Sequence, residues 1–215
     1  MKALIIGILV IVLLGCPLAS RAQDDGSIRL PEPATQGGMP LMQALKQRQS
    51  LREFSEKELP LQVLSDLLWA AFGINRPESG GRTAPSARNR QEIDIYVATQ
   101  KGLYRYDAQE NALIPVSSDD IRAFTGEQPF IADAPVDLIY VADHTKMEGM
   151  TGSEKEFYAA ADTGFISQNV YLYCASSGLA TVVRGSFRKI HLARAMKLIP
   201  SQTIILTQTV GYPAR

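Results

Sequence analysis

The sequence is poor in the side chains that usually announce chemistry. Among 215 residues there are two cysteines, two histidines and one tryptophan. Two cysteines rule out a disulfide scaffold. The histidines, His144 and His191, have no metal-ligand spacing between them. Excess charge is also missing, with 22 basic against 22 acidic residues. That leaves no basic footprint to release counterions, so nucleic acid is excluded as a bulk partner. No G-x-G-x-x-G, P-loop or nucleophile elbow occurs. Apolar residues make up 46% and charged residues 20%, an ordinary globular composition that excludes disorder and collagen.

The apolar content is uneven. Lys2 precedes an uninterrupted apolar run from Ala3 to Leu14. The run is too short to span a bilayer and suits a signal-peptide core. Ser20-Arg21-Ala22 puts small residues at −3 and −1 of a cleavage point before Gln23. Residues 1–22 are therefore expected to be a signal peptide, and the protein to be exported and periplasmic. Leu13-Leu14-Gly15-Cys16 is similar to a lipobox, which makes anchoring through a lipidated Cys16 the alternative. Membrane contact is expected only if that N-terminus is retained or lipidated. No twin-arginine pair is present, so export of the unfolded chain is expected. Cleavage removes Lys2, Arg21 and Cys16 and leaves a slightly acidic chain. Its single thiol, Cys174, lies in an apolar helical stretch and reads as buried and inert.

Residues 23–39 read as a flexible tether, with Pro31-Glu32-Pro33 and Gly37-Gly38. One domain is expected over 40–215. Leu41, Met42 and Leu45 mark a first helix. Ser55 is a candidate N-cap ahead of a second, carried by Leu61, Leu64, Leu68 and Ala71 and ended by Gly73. Residues 74–90 read as a long polar loop. Alternation predicts strands at Ile93–Val97, Val136–Val141 and Thr203–Val210, with a hairpin across 103–115. Ser118 can start a short helix through Phe124. A long proline-free helix runs from Ser153 to Ser177, and Gly178 is placed to stop it. A strand at 181–183 and a helix at 187–198 follow. The mixture is α+β.

Three segments carry the functional signal. Arg48-Gln49-Ser50-Leu51-Arg52-Glu53-Phe54 puts two guanidinium forks around a hydroxyl, a plausible anion clamp. Pro85-Ser86-Ala87-Arg88-Asn89-Arg90-Gln91 combines small residues with an amide that both donates and accepts. Gly178-Leu179-Ala180-Thr181 is a glycine-led turn that could present backbone N–H groups.

In this order the three resemble the FMN-dependent nitroreductase family. Arg48-x-Ser50-x-Arg52-x-Phe54 is similar to its flavin-phosphate motif, Pro85-Ser86-Ala87-x-Asn89-x-Gln91 to its P-S-x-x-N-x-Q loop, and Gly178-Leu179 to its G-L turn. Gln168-Asn169 and Val210-Gly211-Tyr212-Pro213 look like the subgroup that includes azoline-oxidising dehydrogenases. The resemblance implies a mainly antiparallel central sheet flanked by helices, with a long central helix. It also implies an intertwined homodimer with FMN at the interface. Arg48, Gln49, Ser50 and Arg52 would hold the phosphate and ribityl chain. Pro85, Ser86, Ala87 and Asn89 would reach the ring from the partner subunit, with Gly178 and Leu179 near its reactive side. No catalytic side chain is expected, because the flavin carries the electrons. The implied function is reduction of small nitro- or quinone-like acceptors, with NAD(P)H as candidate reductant. The alternatives are a dehydrogenase of the azoline-oxidising type and a non-catalytic flavin-binding module. Ser176 replaces an acid common in the family. No basic segment follows Tyr212-Pro213, which makes Arg82 and Arg184 candidate extra phosphate bases.

Overall fold

Alternating side chains build the centre of the protein. A computed structural model describes residues 26–131 and 133–214; the expected signal peptide and Cys16 lie outside the described residues. Strands β1 (Ile28–Arg29), β4 (Ile93–Thr99), β5 (Gly102–Asp107), β6 (Ala112–Ser117), β7 (Val136–Asp143), β8 (Ala180–Arg184) and β9 (Gln202–Gly211) form one sheet. Its order is β1-β6-β5-β4-β7-β9-β8, and every pairing is antiparallel. Along β7, Leu138 and Tyr140 enter one apolar cluster, and Ile139 and Val141 enter another on the opposite face. Successive strand side chains point to opposite faces, so a central strand covered on both sides reads as a continuous apolar run.

Helices α2 (Leu61–Phe72) and α3 (Gly152–Ser177) cover one face, and α4 (Lys189–Ala195) covers the other. Leu67 and Leu68 of α2 are fully buried, each contributing about 1.5–3 kcal/mol of apolar transfer. Helix α3 has 26 residues and extends about 39 Å. It starts in a capping box: Thr151 accepts from the Glu154 N–H, and Glu154 accepts from the Thr151 N–H at 2.8 Å. It buries Ala159, Ile166, Val170 and Cys174, while Phe157 and Phe165 stay 68% and 50% exposed. Among the described residues, no helix is long and apolar enough to cross a membrane.

Several expectations need correction. The described part of the tether, from residue 26, is docked rather than loose. β1 pairs with β6, Leu30 is buried, and Pro31 O accepts from Ser65 and Asn111. Met39 N–H then donates to Ser176 Oγ at 2.7 Å. Ser55 does not cap α2, whose N-cap is Pro60. Its hydroxyl accepts from Lys57 N–H, and its own N–H donates to Tyr212 O, tying it to the far end of the chain. The 74–90 loop contains a small hairpin of β2 (Ile74–Arg76) and β3 (Gly81–Arg82). The helix expected from Ser118 is a single tight turn at Arg122–Phe124. Helix α1 (Leu41–Gln47) buries only Ala44, leaving Leu41, Met42 and Leu45 exposed.

At one end of the sheet lies a buried ion pair. Arg184 donates to Asp137 at 2.6 Å and to Thr125 at 3.2 Å, and Thr209 also donates to Asp137. Burial pushes the Asp137 carboxyl up, and the Arg184 charge opposes that shift.

Candidate active site

Segment 48–52 leaves α1 and lies against the C-terminal end of α3. Leu51 N–H donates to Thr181 O at 3.0 Å, an extension of the β8 edge. Phe54 bridges to Pro213, which ties the segment to the chain's far end. Tyr171 of α3 organises what lies between. Its hydroxyl is 2.9 Å from Ser50 Oγ and accepts from Val183 N–H at 2.9 Å. The Arg48 guanidinium stacks over its ring, 5.2 Å from the centroid. Arg48 and Arg52 have no hydrogen-bond acceptor or ion-pair partner for their guanidinium groups among the described residues, and Arg52 and Gln49 are exposed. A cavity of about 230 Å³ opens beside them, lined by Gln49, Leu51, Tyr171, Cys174, Gly178 and Leu179, among others. Two guanidinium groups without acceptors, on residues that alternate with the cavity-lining Gln49 and Leu51, are the donor chemistry a phosphate monoester needs. The residues present therefore fit an FMN phosphate.

Gly178 closes α3 at φ +67°, a left-handed conformation that disfavours residues with a Cβ. No heavy atom lies within 4 Å of where that Cβ would be, so the turn leaves open space on its outer side. One expectation fails here. The N–H groups of Gly178 and Leu179 both return to Cys174 O, as helix stops of this kind do. They are not free donors, and the turn offers a ligand shape rather than hydrogen bonds.

The 85–91 loop is built differently, with almost every polar group committed. Ala87 N–H donates to Asp162 Oδ2 on α3 at 2.8 Å, and Gln91 N–H donates to Ser86 Oγ at 3.0 Å. The Gln91 side chain receives Arg82 Nε and donates to Gly80 O and Asn89 Oδ1. Arg88, Asn89 and Gln91 all have φ near +50°. Three non-glycine residues in that region within one short loop are a strained arrangement that the surrounding contacts must hold. Pro85 and Asn89 are exposed.

One protomer does not bring the two groups together. Asp162 and Tyr171 stand about 14 Å apart along α3 and on opposite sides of it, because nine residues make two and a half turns. The cavity lined by Gln49 and Leu51 has no residue of Pro85–Asn89 in its wall.

The other candidates are bonded within the chain or lie exposed away from the cavity. Arg184 is buried against Asp137, and Arg82 donates to Gln91 and Phe72 O, so both are engaged within the chain. His144 Nε2 meets Thr203 Oγ1, and His191 is exposed on α4. Gln168 is exposed, and Asn169 reaches Ala71 O at 3.5 Å. Sequence reasoning missed Tyr171, Asp162 and Glu92 as parts of the site. Ser50 is 121 residues from Tyr171, Ala87 is 75 from Asp162, and the neighbour of Glu92 is on α3, so no local spacing marks them.

Burial pushes the Cys174 thiol far above its ordinary range, so it is no nucleophile. The Nitroreductase family model matches residues 45–212, and the chain belongs to that family of flavin-using oxidoreductase enzymes. It is 30% identical over 185 residues to the "Putative nitroreductase MJ1384" of Methanocaldococcus jannaschii, covering 81% of this chain and 91% of that one. It is 48% identical to the crystal structure of a "putative nitroreductase" from Ralstonia eutropha JMP134, at a TM-score of 0.85 over 88% of this chain and 90% of that one. A chain of the Escherichia coli microcin synthetase McbBCD complex shares the fold at a TM-score of 0.68 and 19% identity, covering 95% of this chain and 85% of that one.

Proposed function

We propose that the protein is an exported, FMN-dependent oxidoreductase that works as a homodimer and reduces small nitro- or quinone-like acceptors. The observation that carries this reading is the pair of arginines without acceptors, Arg48 and Arg52, in the segment whose Gln49 and Leu51 line the cavity beside Tyr171 and Gly178. Arg48, Arg52 and Ser50 hold the phosphate and ribityl hydroxyls, and Gln49 lines the entrance. The open outer side of Gly178 admits a flat ring against the α3 stop, with Leu179 beneath it. Pro85, Ser86, Ala87 and Asn89 of a second copy complete the ring pocket, since one copy holds its own loop away from its own cavity. Bound FMN supplies the two-electron chemistry. The protein positions it.

The exposed Phe157 and Phe165 of α3, with Leu41 and Met42 of α1, support the dimer, because large apolar side chains left bare on adjacent helices ask for a cover. The apolar run before Ser20-Arg21-Ala22 supports periplasmic export. NAD(P)H is the candidate reductant. Its scarcity outside the cytoplasm favours a second reading, a flavin-dependent dehydrogenase that passes electrons from substrate to oxygen.

The test is to reconstitute purified protein with FMN, record its absorption spectrum, and assay NADH and NADPH against nitroaromatic and quinone acceptors. A bound flavin spectrum with turnover is expected. Failure to bind FMN sinks the reading. Bound flavin that neither nicotinamide nor dithionite can cycle points to a binding module.

A further inference from the structure

Behind the 85–91 loop two carboxyl groups face each other inside the protein. Glu92, the first residue after the loop, is 0% exposed, and no donor from another described residue meets either of its carboxyl oxygens. Its neighbour is Asp162 of α3, which is also buried and already accepts from Ala87 N–H at 2.8 Å. A buried carboxylate without a donor is costly, and two side by side are costlier. A proton on Glu92 removes both problems, because the acid O–H becomes the missing donor and Asp162 its acceptor.

We propose that Glu92 and Asp162 hold one proton between them, and that this shared proton latches the 85–91 loop in its strained shape. Asp162 then accepts twice, from the Glu92 O–H and from the Ala87 N–H. The latch supplies part of what three left-handed non-glycine residues require. Glu92 is a positioning residue, acting on the loop through Asp162 and touching no ligand.

The surrounding charges agree. Burial, and next the Asp162 charge, push Glu92 up to about 7. The facing cation is Lys146, which opposes the shift but is engaged by Asp94 at 2.8 Å and Gln91 O at 3.4 Å. The sign of the pH effect follows. A carboxyl raised in the fold favours the folded form most below its ordinary value, and that support is lost as pH rises through about 7. Above that point two buried like charges separate, Ala87 N–H loses its acceptor, and the loop relaxes.

The inference rests on the proposed flavin site only where it predicts FMN affinity. The test compares the full chain with Glu92→Gln, whose amide donates to Asp162 at every pH. Hydrogen exchange of the 85–91 amides in FMN-free protein, corrected for intrinsic rates, is measured at pH 6 and pH 8.5. FMN affinity is measured at both by quenching of flavin fluorescence. In the unmodified protein, exchange should speed up and affinity should fall, each roughly tenfold, from the lower to the higher pH. E92Q should stay flat in exchange, and its FMN affinity should show no such fall, only the change that ionisation of the FMN phosphate near pH ~6 brings to both proteins. Exchange that ignores pH in the unmodified protein, or changes equally in E92Q, overturns the latch. If E92Q does not fold, Asp162→Asn asks the same question, because its amide donates to ionised Glu92 and its carbonyl still accepts from Ala87. A pH response of the unmodified protein's size in that variant overturns the latch as well. Absence of FMN binding at either pH would sink the flavin reading alone, with exchange still deciding the latch.

Discussion

Two arginine sites in this protein have opposite surroundings. Arg184 sits inside, donating to Asp137 and Thr125, with Thr209 donating to the same carboxylate oxygen. Arg48 lies at the surface with its fork unspent and only the face of Tyr171 beneath it. The same guanidinium is structural in one place and receptive in the other, and residue type alone does not separate the two. What separates them is burial against a carboxylate: Arg184 is 6% exposed and paired with Asp137, while Arg48 is half-buried and faces no acceptor among the described residues. Both Arg82 and Arg184 were reasonable phosphate candidates until their partners were known.

The contrast can be broken by mutation. Asp137→Ala should have the largest effect, lowering stability by about 3–5 kcal/mol in urea unfolding, because it strands a buried charge. FMN affinity of the folded fraction should not change. Arg48→Ala should do the reverse, weakening FMN roughly 10- to 150-fold through a lost charged hydrogen bond while the unfolding midpoint barely moves. Equal FMN affinity in that variant would remove the phosphate assignment. Ser50→Ala deletes the contact to Tyr171 and should cost about 0.5–1.5 kcal/mol in the same unfolding measurement. Gly178→Ala forces a Cβ into the left-handed region and should cost about 1 kcal/mol. Its thermal midpoint should fall slightly, with no steric clash to enlarge the loss.

The central strands were legible in the sequence because alternation is a local property. Ile93–Val97, Val136–Val141 and Thr203–Val210 all lie inside observed strands. The end of α3 was legible for the same reason, since a left-handed stop asks for glycine at one place. Residues 28–39 were misread because their composition is polar and Pro-rich, while their order comes from Ser65, Asp66, Asn111 and Ser176 far along the chain. The site was half legible. Arg48, Ser50 and Arg52 stand out as a motif, but the ring that seats Arg48 is 121 residues from Ser50. The N–H groups at Gly178 and Leu179 looked available because the glycine was visible and its return bond to Cys174 was not.

The short strand β1 has an effect beyond its two residues. It lies along the outer side of β6, and Leu30 behind it turns into the core. Without it, β6 would present unpaired N–H and C=O groups along a partly apolar rim, which is the template on which sheets of neighbouring molecules stack. The leading segment thus acts as an edge guard. A chain trimmed to begin after Pro33 would self-associate while its helices and central strands stayed intact, and rising light scattering would register the loss before circular dichroism did.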